Sequence, residues 1–179
     1  MRHPAAVERS LAQGIVFFSM PDIQFRSIND NDREWVARIS RESWGSETVI
    51  AHSEVFHPAE LDGFIATQKE EKAGLVTYRI TGDSCEIVTL NALKPNLGIG
   101  SVLIRPMVEF ARGEGSTHLS LITTNDNTNA LRFYQKLGFT LCALRPGIME
   151  EYRKLKPEIP MTGADGIPIR DEIELEMAL

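Results

Sequence analysis

The run Ile122–Phe139, ITTNDNTNALRFYQKLGF, constrains the fold more than any other part of the chain. A β-branched stretch ends in a cluster of turn formers, an apolar-faced helix begins at once, and Gly138 stops it before another strand-like run. Such a junction gathers small polar side chains and one phenol, Tyr134, at a strand end, where open parallel sheets hold ligands. A second junction, Leu93–Ala111, places Gly98 and Gly100 at the mouth of another helix.

Around these junctions the hydrophobic period predicts the remaining elements. A strand covers 23–28, and a helix with Trp35, Val36 and Ile39 on one stripe ends at Ser43-Trp44-Gly45-Ser46. Residues 48–50 read as extended, and 54–62 as a short helix or lid-like loop. Strands at 63–68, 74–81 and 85–90, separated by the polar turns Glu70-Glu71 and Gly82-Asp83, predict an antiparallel meander. A helix over 99–112, a strand over 118–123, a helix over 127–137 and a strand over 139–144 follow. The tail predicts a short helix within 146–156, the turn-rich PEIPMTGADGIP, and a last strand over 172–179. There Ile173, Leu175, Met177 and Leu179 alternate with Glu172, Glu174 and Glu176, the period of a half-buried strand whose glutamates face solvent. The order predicts an α/β (α+β) fold with a mixed central sheet flanked by helices. Residues 1–22 read as an N-terminal arm and 23–179 as a single domain with a substrate-side insertion at 146–170.

A chain of 179 residues and 20.0 kDa holds one well-buried core. Its net charge of -6 and pI near 5.3 argue against nucleic-acid or anionic-membrane partners and are compatible with a cationic acceptor. With no apolar run long enough to span a bilayer and no convincing cleavage site near AQGIVFFSM, a cytoplasmic protein is expected. Val16, Phe17 and Phe18 fit packing on a second copy, as in a homodimer. Cys85 and Cys142 sit in apolar runs and read as buried free thiols.

A helix mouth leaves backbone N–H groups unpaired and carries partial positive charge, so Leu97-Gly98-Ile99-Gly100-Ser101 can hold a phosphate or diphosphate. No Gly-Lys-Ser/Thr follows, and the third glycine of a dinucleotide fingerprint is missing. Pro106 falls inside the same helix and should kink it. At the second junction Thr123, Thr124 and Asn125 end a strand, Asp126 or Asn127 caps the helix, and Ala130 leaves room beside Tyr134. If the strands ending near Leu90 and Thr124 are parallel neighbours, their ends splay near the Gly98 mouth. An extended ligand then enters with its phosphates on Gly98 and Gly100 and its reacting end near Tyr134.

This pairing resembles the GCN5-related N-acetyltransferase (GNAT) family, over roughly 23–144 with the last strand fitting as well. Its Asn-x-x-Ala-x-x-x-Tyr-x-x-x-Gly-Phe element is complete as Asn127, Ala130, Tyr134, Gly138 and Phe139. The Gln/Arg-x-x-Gly-x-Gly/Ala element keeps Gly98 and Gly100 but has Pro95 where Gln or Arg is usual. The segment also looks like a largely uncharacterised bacterial subgroup of that family.

The resemblance implies binding of acetyl-CoA by Leu90, Asn91, Leu93, Leu97, Gly98, Ile99, Gly100, Ser101, Thr124, Asn125, Asn127, Ala130, Phe133 and Tyr134. It implies acetyl transfer to an amine of a small molecule or peptide, with Tyr134 protonating the departing sulfur and a main-chain N–H near Leu90 or Asn91 polarising the carbonyl. Glu86 is the candidate base, with Glu174 and Glu176 as alternatives. Glu86 shares strand parity with Val88 and Leu90, so orientation alone does not decide its role. Trp44 and Tyr78 are candidate walls of the acceptor pocket beside Glu86, and plain core is the competing reading. His52 and His57 are acid–base groups without a metal-ligand set around them. A coenzyme-A-binding regulatory or sensing module is the rival reading.

Overall fold

The computed structural model describes residues 23–94, 97–163 and 165–179; the arm over 1–22 and the departure at Pro95 lie outside the described residues. Strand β1 (Ile23–Ser27) leads through a capped 3-10 turn, Asp30–Asp32, into helix α1 (Arg33–Trp44). Gly45 ends α1 in the left-handed region at φ 74, the conformation that glycine adopts without a Cβ penalty. The hairpin β2 (Val49–Ala51) and β3 (Glu54–Phe56) follows, then a 3-10 turn at Pro58–Glu60. The expected helix or lid over 54–62 is therefore half strand, because Val55 and Phe56 continue the pairing with β2.

Strands β4 (Asp62–Gln68), β5 (Glu71–Thr81) and β6 (Ser84–Ala92) form the antiparallel meander. Helix α2 (Ile99–Gly113) returns the chain to strand β7 (His118–Thr124), which pairs parallel with β6. Helix α3 (Thr128–Lys136), strand β8 (Thr140–Arg145), helix α4 (Met149–Leu155) and strand β9 (Glu172–Ala178) complete the order. The last strand inserts between β7 and β8, giving a seven-stranded mixed sheet in the order β1-β4-β5-β6-β7-β9-β8.

Two apolar clusters clamp the sheet. On one face Val36 and Ile39 of α1 pack on Ile65 and Leu75. On the other, Leu103 and Met107 of α2 and Tyr134 of α3 pack on Phe64, Val76, Ile87 and Leu121. Each such large side chain contributes about 1.5–3 kcal/mol on burial. Helix α2 runs from Ile99 to Gly113 with Pro106 inside it, and its core face at Leu103 and Met107 stays fully buried.

Two expectations change. Cys85 is buried, but Cys142 is exposed, because the β8–β9 register shifts between Leu141 and Ala143 and leaves it on the irregular step. The tail glutamates are not a uniform solvent face either: Glu172 has no exposed surface and accepts a 2.6 Å bond from Arg145 Nη1.

Candidate active site

The site begins at one irregularity. The turn Gly82-Asp83 sets Arg79 opposite Glu86 and Tyr78 opposite Ile87, but Thr77 then faces Thr89, so Val88 is an extra residue in β6. A bulge reverses the facing of everything beyond it. Leu90 joins the α2 cluster with Ile87, whereas Glu86 lies on the α1 face with Thr89 and Asn91. The shared parity of Glu86 and Leu90 expected from the sequence is thereby corrected.

The parallel pairing of β6 and β7 covers Ser84–Ile87 against His118–Leu121 and goes no further, although the strands run on to Ala92 and Thr124. The sheet opens where the bulge sits. Beyond that opening stand the two helix mouths.

At the first, Gly98 takes φ 65, and no described side chain caps the N–H groups of Ile99, Gly100 and Ser101. Gly100 also has a packing role that the sequence did not signal. A Cβ there would stand 2.9 Å from Phe133 Cζ, so this glycine lets α2 and α3 meet. Ile99 is buried in the core, leaving its backbone for a ligand, while Leu97 is partly open at 38% exposure. At the second mouth Asn127 Oδ1 accepts the Ala130 N–H at 3.2 Å and caps α3, so the amide nitrogen remains for a ligand. These residues fit coenzyme A: uncapped amides for a diphosphate and a side-chain amide at the open end of the sheet.

Tyr134 is held edge-on between Phe133 and Phe139, at 5.0 and 5.5 Å between ring centres. Its hydroxyl is bonded by no described residue, and burial pushes the phenol pKa up, keeping it protonated. Of the other expected cofactor contacts, Leu93 and Asn91 lie on the α1 face. Thr124 Oγ1 donates to Asp126 Oδ1 at 2.5 Å.

Asn125 is spent elsewhere: Nδ2 donates to Pro168 O, and Oδ1 accepts the N–H groups of Arg170 and Asp171, each at 2.9 Å. It clamps the segment before β9 onto the end of β7. That role displaces its expected one as a cofactor contact.

On the α1 face, Glu86 is buried and both its oxygens are occupied. His52 Nε2 stands 2.9 Å from Oε1, and Arg79 Nε donates to Oε2 at 2.6 Å. Burial works against its charge, but the hydrogen bonds from His52 and Arg79, with the charge beside them, outweigh it and hold the carboxyl below its ordinary pKa. Glu86 raises the His52 pKa in return, against desolvation, with Glu174 and Glu172 adding to the effect. Asn91 Nδ2 donates to Ser43 Oγ at 2.9 Å near the end of α1, while its Oδ1 is buried without a partner among the described residues. Trp44, the last residue of α1, is half-buried on this side.

Tyr78 is not on that face. It stacks with Phe64 at 5.8 Å and meets Phe110 at a tilt at 4.8 Å in the α2 cluster, so the pocket wall expected of it beside Glu86 is scaffold across the sheet. Glu174 Oε2 accepts from Arg145 Nη2 at 3.1 Å, so this alternative candidate is tied to β8.

A chain of bonds absent from the sequence reading supports the His52 turn. Ser53 N–H donates to Tyr152 Oη at 3.0 Å, Tyr152 Oη donates to Glu172 Oε2 at 2.8 Å, and Arg145 closes the other carboxylate oxygen. Lys156 Nζ donates to Thr48 O at 2.7 Å, fastening α4 to the same hairpin.

The sequence pattern described as Acetyltransferase (GNAT) family matches residues 29–139. The chain belongs to that family. It is 44% identical over 131 residues to the uncharacterized protein YdhI of Bacillus subtilis (strain 168), covering 73% of this chain and 82% of the relative. Streptothricin acetyltransferase of Streptomyces lavendulae is 34% identical over 100 residues, 56% of this chain and 51% of that protein. Among solved structures, a GNAT family acetyltransferase from Elizabethkingia anophelis with acetyl-CoA bound superposes with a TM-score of 0.66 at 20% identity, covering 89% of this chain and 99% of that one.

Proposed function

We propose that the protein transfers the acetyl group of acetyl-CoA to a primary amine of a small molecule or peptide by direct attack on the thioester. The observation that carries this reading is the parting of β6 and β7 after Ile87 and Leu121. It joins the face that carries the uncapped mouth of α2 and the Asn127-capped mouth of α3 to a face with paired acid–base groups. Acetyl-CoA supplies an activated acyl carbon and a sulfur leaving group. The α2 amides at Ile99, Gly100 and Ser101 hold its diphosphate, and the Asn127 amide nitrogen holds the arm that follows. Tyr134, protonated in its apolar slot, donates a proton to the departing sulfur. The amine enters on the α1 face, where the buried Asn91 Oδ1 offers an acceptor for its N–H groups. The relative named streptothricin acetyltransferase makes that antibiotic one of the first acceptors to try.

The test is an acceptor screen with purified protein, acetyl-CoA and spermidine, L-lysine, streptothricin or a peptide with a free N-terminus. Amine-dependent release of free thiol, with product heavier by one acetyl group, is the expected result. Saturable acetyl-CoA binding without amine-dependent thiol release across the screen would favour a binding module instead.

A further inference from the structure

His52 and Ser53 form the two-residue turn between Ala51 and Glu54, and both have positive φ, 51 and 62. Two-residue hairpins favour this backbone but normally fill it with Gly, Asn or Asp; a histidine and a serine there carry local strain. Two bonds from outside the hairpin hold them. Ser53 N–H reaches Tyr152, and His52 Nε2 reaches Glu86. The turn thus fixes one imidazole against β6, one residue before the parallel pairing with β7 ends at Ile87. Glu86 has no free oxygen left, because Arg79 takes the second one. Nδ1 of His52 makes no hydrogen bond with any described residue, and the ring keeps 20% of its surface open.

Resting on the acetyltransferase reading above, we propose that His52 is the catalytic base that removes the acceptor's proton through Nδ1, with Glu86 as the positioning residue that fixes its tautomer by taking Nε2–H. Arg79 holds Glu86 in place, and Glu54 in turn accepts from Arg79 Nη1 at 2.7 Å. The proton balance is complete with these groups. His52 Nδ1 takes one proton from the ammonium form of the acceptor and returns it to solvent between turnovers. The freed nitrogen pair forms the C–N bond to the acyl carbon, and the C–S pair leaves on sulfur. Tyr134 protonates that sulfur, and the second amine proton replaces the phenolic one. The charged groups around the imidazole agree with the role: Glu86 from β6 and Glu172 and Glu174 from β9 favour its protonation, and Arg79 from β5 and Arg145 from β8 neutralise part of that field. Tyr152 from α4 is uncharged and holds only the neighbouring Ser53.

Long-range proton–nitrogen NMR on nitrogen-15-labelled protein reads the tautomer and the titration of each of the four histidines, with or without turnover. Neutral His52 is expected to carry its proton on Nε2, with a pKa above the ordinary value of about 6.5 that falls in Glu86→Gln. In steady-state kinetics with the best amine of the screen, His52→Asn should lower kcat ~10²–10⁴-fold while the acetyl-CoA dissociation constant holds. The acid limb of kcat should follow the NMR pKa downward in Glu86→Gln. A neutral His52 protonated on Nδ1, or a titration indifferent to Glu86→Gln, overturns the proposal even if His52→Asn fails to fold or no amine in the screen reacts. An undiminished kcat in folded His52→Asn overturns it as well. Calorimetry showing no acetyl-CoA binding would instead strike the acetyltransferase reading and leave the NMR result to stand for the dyad.

Discussion

His52 Nε2 stands 2.9 Å from Glu86 Oε1, and this one contact ties a strained hairpin turn to the strand at which the sheet opens. The two residues are 34 positions apart, His52 in the turn of the two-stranded hairpin and Glu86 in a strand of the seven-stranded sheet. Their coupling makes the stability of the fold depend on pH in a defined way.

The Glu86 pKa is lowered, so its contribution is present above the unfolded carboxyl value of about 4.3 and fades as pH falls through the folded value. The His52 pKa is raised, so its contribution is complete below about 6.5 and is lost as pH rises through its folded value. Both act together only at mildly acid pH. The melting-temperature difference between wild type and Glu86→Gln should be widest at roughly pH 5–6 and narrower once pH rises above the folded His52 value, where neutral His52 still donates through Nε2–H but Arg79 remains the carboxylate's charged partner. A difference that widens steadily toward alkaline pH would contradict the pairing.

Asn125→Ala should loosen the acceptor side without touching the coenzyme side. Three bonds to the backbone of Pro168, Arg170 and Asp171 disappear, so a loss of about 1–3 kcal/mol is expected in urea unfolding. The acceptor KM should rise while acetyl-CoA affinity holds. Weakened acetyl-CoA binding with an unchanged acceptor KM would restore Asn125 to the cofactor site.

Gly100 and Phe133 should behave as one packing unit. Gly100→Val crowds a ring whose edge would be 2.9 Å from the new Cβ, at a cost of about 1–3 kcal/mol. Adding Phe133→Ala should recover part of that loss, giving a non-zero coupling in a double-mutant cycle on thermal stability. Strictly additive losses would place the two side chains out of contact.

Tyr152→Phe removes the acceptor of Ser53 N–H and the donor to a glutamate with no exposed surface. It should cost about 1–3 kcal/mol and lower kcat more than it weakens acetyl-CoA binding. Equal loss in both would mean that the turn does not serve the acceptor side alone.

Much of this was readable in advance, for local reasons. Strand β6 and helices α2 and α3 follow from periodicity and from Gly98, Asn127 and Gly138 as punctuation. The two-residue turn Gly82-Asp83 even sets Arg79 opposite Glu86, so that partnership was available from hairpin register alone. The bulge at Val88 was not, because no residue type there demands it, and parity beyond it reversed. Nor did any local signal bring His52 to Glu86 or Tyr152 to Glu172, since those contacts depend on where the hairpin and α4 dock. Alternation correctly marked β9 as a strand but misplaced Glu172. A buried carboxylate between Arg145 and Tyr152 looks like any other glutamate until its partners are folded beside it.

The central claim is that acetyl-CoA lies on the α2–α3 face and reaches through the opening between β6 and β7. Hydrogen exchange with mass readout tests it most directly, on wild-type protein with and without saturating acetyl-CoA. Slowed exchange is predicted in peptides spanning 86–92, 98–103 and 127–134, with the 49–56 hairpin unchanged until an amine is added. Saturable acetyl-CoA binding that leaves those three segments unprotected, or protection confined to the hairpin and 156–171, would contradict it.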